Sequence, residues 1–243
     1  MADELAIARI EWLVGRLGDW TESRSRVTFP SRAQVLELAV QLARPVAGHI
    51  IEFGVWKGHS IRLIRDELWR LRVWDGAQRR KRIYACDSFE GLPAAYERLP
   101  AGTFATPVPK LKGVRVVKGF FEDSLTPALA AEVAQVSLAH FDADLYSSTA
   151  CALEWMTPLL HGGSLLLFDE FLGGDPAEAR AFTEWAERTG TRTALIALFG
   201  REPSGNGDLT DRRALFQVIG DGELRKASPL APARFHRRLA ARW

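Results

Sequence analysis

Only two cysteines, Cys86 and Cys151, occur among the 243 residues, and no C-x-x-C spacing occurs. That excludes a disulfide framework and a thiolate zinc site, and both thiols are expected to be buried. Charge of one sign is lacking too: 32 Lys and Arg stand against 30 Asp and Glu, a formal balance of +2. No electrostatic reason exists to expect nucleic acid as a partner. No run of about eighteen apolar residues is present, and the opening M-A-D-E-L carries acids where a secretory leader needs basic residues. A cytoplasmic protein without membrane attachment is therefore expected. Neither the dinucleotide fingerprint G-x-G-x-x-G nor a P-loop ending in Lys-Ser/Thr follows the first apolar run. No internal repeat is apparent.

What is present is an ordinary globular composition, 47% apolar, long enough for one α/β domain with additions. G-H-I-I-E-F-G-V-W-K-G-H-S, at 48–60, organises the rest. An apolar run from Ile50 to Val55 passes through two glycines into the periodic segment Ile61 to Arg72, the pattern of strand, tight turn and helix. Gly54 and Gly58 permit the turn and let main chain approach a ligand. Glu52, expected to face the crevice above the strand ends, suits a cationic ligand group rather than a pyrophosphate.

Residues 1–30 carry helical spacing and then an irregular stretch ending at Pro30, an N-terminal helical appendage. Ser31 with Gln34 matches a capping box, and Val35, Leu36, Leu38, Ala39 and Leu42 form one apolar face. I-Y-A-C-D at 83–87 is a strand ending at Asp87, and 88–112 is a long Pro/Gly-rich loop expected near the ligand. Val114 to Lys118 is a third strand, and Thr126-Pro127 opens a helix. V-S-L-A-H-F-D at 136–142 and S-L-L-L-F-D-E at 164–170 are strands that again end in acids. Helices at 147–160 and 176–188 and two last strands, close enough to pair as a hairpin, complete a domain over 31–221. Strands alternating with helices predict a doubly wound, mostly parallel seven-stranded sheet with helices on both faces, binding its ligand beyond the strands' carboxyl ends. The tail, 222–243, is basic with Phe235, Leu239 and Trp243 at near-helical spacing.

With E-F-G-V-W-K-G-H-S, C-D-S-F-E-G-L-P, H-F-D-A-D-L-Y-S-S-T and L-L-L-F-D-E-F in this order, residues 30–220 resemble class I S-adenosylmethionine-dependent methyltransferases with a Rossmann-like fold. More narrowly, the chain is similar to the macrocin O-methyltransferase family, which methylates sugar hydroxyls of antibiotics. The resemblance implies that Glu52, Gly54, Trp56, Gly58 and Ser60 hold the methionine part of the cofactor. It assigns Asp87 to the ribose hydroxyls with Ser88 beside it, and Phe121 and Glu122 to the adenine.

By the same resemblance Asp142, Asp169 and Glu170 hold a magnesium-type ion, Asp142 lies beside the cofactor, and Asp142 receives the acceptor's proton. The Asp169-Glu170 pair departs from the D-D or D-N of sugar methylation, so Glu170 either coordinates or marks a lost metal site. Asp144 either bonds the substrate in catalysis or caps the next helix. His140, inside a strand, is expected to be a hydrogen-bonded core histidine, with a catalytic role left open. The expected activity is O-methyl transfer to a hydroxyl of a small natural product, a sugar or polyhydroxylated group, in secondary-metabolite or antibiotic biosynthesis. The alternatives are a metal-independent methyltransferase for another acceptor and a non-catalytic cofactor-binding protein. A homo-oligomer is expected. Residues 1–30 and the 88–112 loop are expected to form a lid over the acceptor, and the tail to dock on the domain, pair subunits or meet an anionic partner.

Overall fold

A computed structural model describes residues 31–95, 99–172, 177–200 and 212–220. The appendage expected over 1–30 and the basic tail 222–243 lie outside the described residues. The described elements are α1 (Arg32–Leu42), β1 (His49–Phe53), α2 (His59–Trp74), β2 (Ile83–Asp87), β3 (Arg115–Lys118), α3 (Phe121–Ser124), α4 (Pro127–Val133), β4 (Val136–Phe141), α5 (Tyr146–Met156), β5 (Leu165–Leu172), α6 (Ala177–Thr189), β6 (Thr193–Gly200) and β7 (Arg212–Val218). Short 3₁₀ turns follow α2 (Gly76–Arg80) and α5 (Thr157–Leu159).

The capping box that opens α1 is formed in both directions. Ser31 Oγ accepts from Gln34 N–H, and Gln34 Oε1 accepts from Ser31 N–H. Thr126 likewise accepts from Leu129 N–H with Pro127 at the first helical position, where its missing N–H costs nothing. Seven strands form one sheet in the order β3-β2-β1-β4-β5-β7-β6. The first five pair in parallel, and β7 enters antiparallel between β5 and β6.

Parallel strands covered on both faces must be apolar on both, which is why β1 and β4 read as nearly continuous apolar runs. Val35, Leu36, Ala39 and Val40 of α1 join Ile61, Ile64 and Leu68 of α2 over one face. On the other, Leu129, Leu153, Met156, Phe182 and Trp185 from α4, α5 and α6 cover Phe53, Phe141 and Phe168. Phe141 stacks on Phe168 at 4.6 Å between centroids, fixing the mutual orientation of β4 and β5.

The chain runs outward from β1 to β3 and then returns to place β4 on the opposite side of β1, so the strand order reverses there. Such a reversal opens a crevice at the carboxyl ends. Backbone meets backbone at this point: Asp142 N–H donates to Phe53 C=O at 2.9 Å, and a Cβ on Gly54 would lie 1.9 Å from the Asp142 carbonyl oxygen. Glycine is required at 54 by that contact and by its φ of +86°. Cys86 is buried as expected, and its thiol is pushed up by burial. Cys151, midway along α5, is only half-buried at the border of the core it packs against, which corrects the expectation for it. No described helix is long and apolar enough to cross a membrane.

Candidate active site

An open cleft lies in the crevice between β1 and β4. Its walls include Gly54, Val55 and Trp56 from the turn after β1, Asp87 and Ser88 after β2, and Phe120, Phe121 and Glu122 at α3. Asp142 and Asp144 close it beyond β4, and Gly91, Leu92 and Pro93 bring in the loop that follows β2.

Asp87 is the organiser of one half. Its Oδ2 accepts from the Val55 and Trp56 amides and its Oδ1 from the Phe89 amide, each at 2.7 Å. Three charge-assisted bonds make the carboxylate a brace that holds the glycine turn against β2; Oδ2 is filled by two amides, and Oδ1 alone retains a lone pair. Ser88 also works on the backbone, donating to Gly91 C=O and accepting from Glu90 N–H. Trp56 sits at the rim with φ +48°, its ring edge-on to Phe104 and beneath Lys57 Nζ. The 88–112 loop therefore does border the cleft.

Several expected cofactor residues lie behind this wall. Glu52 does not open into the crevice; it is 0% exposed and its Oε1 meets His140 Nδ1 at 2.8 Å. The cause is register: Glu52 and His140 are direct partners across β1 and β4, so their side chains share one face beneath α2. Burial pushes Glu52 above the usual carboxylate range, against the pull of His140 and Ser60, while bonding to Glu52 raises His140 against its own burial. Gly58, in the left-handed region with φ +75°, and the buried Ser60 start α2 below the cleft. Phe121 is buried, edge-on to Phe53, whereas its half-exposed neighbour Phe120 joins it in the wall. Phe120 is a lining residue that the sequence did not single out.

The other half is acidic and threaded by arginines. Arg32, the first residue of α1, pairs its Nη2 with Asp142 Oδ2 and brings its Nε to 3.4 Å from Asp169 Oδ1. Arg213 of β7 pairs its Nε with the same Asp169 oxygen. The pairing between β5 and β7 shifts register between Phe168 and Leu172, the irregularity that carries Asp169 and Glu170. Burial raises Asp169, but Arg32, His140 and Arg213 outweigh it and leave it below the ordinary value. Burial and the Asp169 charge push Asp142 up further than Arg32 and His140 pull it down.

These carboxylates do not fit a metal ion. Asp142 and Asp169 direct oxygens at guanidinium groups, and among the described residues no group of three His, Cys, Asp or Glu side chains is arranged to hold one. Glu170 offers its backbone N–H to Glu178 Oε2 instead of joining Asp142 and Asp169 in a ligand set. The set of Asp142, Asp169 and Glu170 expected for magnesium is not assembled among the described residues. A divalent cation would meet two guanidiniums already neutralising the pair.

Of the two roles open to Asp144, the structure removes the cap. It does not cap α5, whose N-cap residue is Leu145 with no side-chain bond. It lines the cleft with φ +59° and makes no hydrogen bond among the described residues. Burial, with Glu170, Asp142 and Asp169 nearby, pushes it up to about 7.

Residues 51–171 match a family model described as a methyltransferase domain. The chain belongs to the class I S-adenosylmethionine-dependent O-methyltransferases. It is 30% identical over 183 residues to the 8-demethyl-8-(2,3-dimethoxy-alpha-L-rhamnosyl)-tetracenomycin-C 4'-O-methyltransferase of Streptomyces olivaceus, covering 65% of this methyltransferase and 66% of the relative. It is 23% identical over 184 residues to the demethyldecarbamoylnovobiocin O-methyltransferase of Streptomyces niveus, covering 66% and 67%. The matched region thus spans about two thirds of the length of each relative. Among solved structures, the O-methyltransferase NovP superposes with a TM-score of 0.58 at 21% identity, over 77% of this chain and 79% of that one. The calicheamicin methyltransferase CalS11 does so with 0.58 at 22%, over 76% and 77%. Both share the seven-stranded fold with this methyltransferase.

Proposed function

We propose that this methyltransferase moves the methyl group of S-adenosylmethionine to a hydroxyl of a small natural product, a sugar or polyhydroxylated group, in secondary-metabolite biosynthesis. The observation that carries the proposal is the two-sided cleft: a carboxylate-braced glycine turn on one side and an unbonded aspartate poised near neutral pH on the other. The relatives are named for a 4'-oxygen of a rhamnosyl tetracenomycin and for a novobiocin precursor, and both names support a sugar-bearing acceptor.

S-adenosylmethionine supplies a methyl on a sulfonium, an electrophile that needs only a correctly placed oxygen. Gly54, Val55 and Trp56 border its methionine part; Glu52, Gly58 and Ser60 act from beneath by fixing the turn. Asp87 would accept from a ribose hydroxyl through the one lone pair its amide bonds leave on Oδ1, with Ser88 shaping the loop beside it. Phe120, Phe121 and Glu122 border the adenine. Asp144 takes the acceptor's proton as the oxygen closes on the methyl carbon and the carbon–sulfur bond breaks, leaving S-adenosylhomocysteine. A base near 7 combines a useful ionised fraction with real basicity. Asp142, held by Arg32, lies beside it and orients the acceptor.

Calorimetric titration with S-adenosylmethionine and with NAD tests the cofactor assignment, and mass analysis of a rhamnosyl acceptor incubated with S-adenosylmethionine tests the transfer. Heat with NAD alone would overturn the reading. A bound cofactor without turnover on any glycosylated acceptor would favour a non-catalytic binding protein.

A further inference from the structure

We infer that Arg32 occupies the place between Asp142 and Asp169 that a divalent cation would have to fill, and that it acts as a built-in cation closing the site to metal and positioning Asp142. The inference rests on reading the cleft as the methyl-transfer site, since Asp142 lines it.

The geometry has three parts. The two aspartates end neighbouring strands, β4 and β5, so any ion bridging them must stand where Arg32 reaches both: Nη2 at Asp142 Oδ2, and Nε 3.4 Å from Asp169 Oδ1. Arg213, 4% exposed, takes the same Asp169 oxygen from the far side, and its burial leaves it no solvent-facing alternative. Two guanidiniums already neutralise the Asp142–Asp169 pair, so a +2 ion could enter between them only by displacing a guanidinium.

Arg32 is the removable half. Its side chain is 36% exposed, against 2% for Asp169, and it hangs from the first residue of α1, just after the Ser31 capping box. The guanidinium is planar and always charged, so it bridges two carboxylates at a fixed spacing and does not dissociate with pH or chelators. Arg32 is a positioning residue in this scheme, acting on the acceptor through Asp142. Taking it away leaves Asp142 and Asp169 with one guanidinium, and with Asp144, Glu170 and Glu178 contributing negative charge nearby. That balance draws a divalent cation.

Mn²⁺ binding followed by electron paramagnetic resonance, on the full chain without cofactor or acceptor, tests this directly. The unaltered protein is expected to leave the free Mn²⁺ signal undiminished. Arg32→Ala and, as a shape-preserving alternative, Arg32→Gln are expected to bind one Mn²⁺ per chain about tenfold or more tightly than the parent. Arg32→Lys, which keeps the charge, should not gain the ion, and adding Asp142→Asn to Arg32→Gln should abolish it. One Mn²⁺ bound by the unaltered chain and lost in Asp142→Asn would overturn the inference. So would Arg32→Gln and Arg32→Ala binding no more tightly than the parent. Because neither cofactor nor acceptor enters this measurement, failure to bind S-adenosylmethionine would count against the proposed function alone.

Discussion

The two sides of the cleft are built on opposite electrostatic plans. Beyond β1 and β2, one carboxylate, Asp87, is satisfied by three backbone amides from the two loops that follow these strands, with no cationic side chain among those three partners. Beyond β4 and β5, Asp142, Asp144, Asp169, Glu170 and Glu178 crowd together, and the charge is managed by two arginines drawn from distant segments. The first side is a rigid cradle, suited to a ligand common to a whole fold class. The second is a tuned charge cluster, in which one member, Asp144, is left without a partner and shifted toward neutrality. Backbone amides neutralise a carboxylate at fixed geometry, whereas a side-chain network can leave a chosen group uncompensated.

Asp144→Asn separates the two sides most sharply. Removing a positioned base lowers kcat by about 10²–10⁴-fold, and affinity for S-adenosylhomocysteine, measured by calorimetry, should stay within error. An equal fall in both would mean that the acidic side also carries the cofactor.

Asp169→Ala tests whether the arginine network supports the fold. It leaves Arg213 buried without its carboxylate, at an expected cost of about 3–5 kcal/mol in urea unfolding. Replacing both Asp169 and Arg213 by apolar residues should recover much of that loss.

Asp87→Ala acts on the cradle alone. Three amides lose a charged acceptor, so cofactor affinity should fall by about 1.5–3 kcal/mol in calorimetry. The Mn²⁺ behaviour of the acidic side should not change.

The pH dependence follows from Asp144. Only its ionised form accepts a proton, and that fraction grows as pH rises through about 7, so kcat/KM should climb below about 7 and level off above it. A profile that stays flat from acid to alkaline pH would remove Asp144 as the base.

Ser31→Ala has the smallest expected effect, about 1 kcal/mol of stability from the lost cap. Because the cap anchors the helix end that carries Arg32, it should also loosen the exclusion of Mn²⁺ slightly.

The strands, their order of appearance and the helix starts were legible because they depend on neighbours in sequence: the Ser31-Gln34 box, Thr126-Pro127 and the apolar runs of β1 and β4 all form where their residues predict. The cradle was legible for the same reason, since Gly54 and Asp87 stand at strand ends that the pattern marks. Glu52 misled because a carboxylate before a glycine turn reads as facing the ligand, and only the pairing of β1 with β4 reveals His140 as its partner, 88 residues away. Asp144 stayed open in the sequence, since an acid two positions before a helix reads equally as a cap, and only the structure gives that place to Leu145.

By itself the sequence determined the fold class, the position of the cleft at the carboxyl ends and the glycine turn and Asp87 at its edge, because period-2 and period-3.6 patterns, capping residues and glycines act over a few positions. Tertiary structure alone decided what the acids beyond β4 and β5 do. Arg32 reaches Asp142 across 110 residues, and Arg213 reaches Asp169 across 44. A carboxylate's chemistry is set by the charges within a few ångströms of it, and chain folding, not adjacency in sequence, selects those charges.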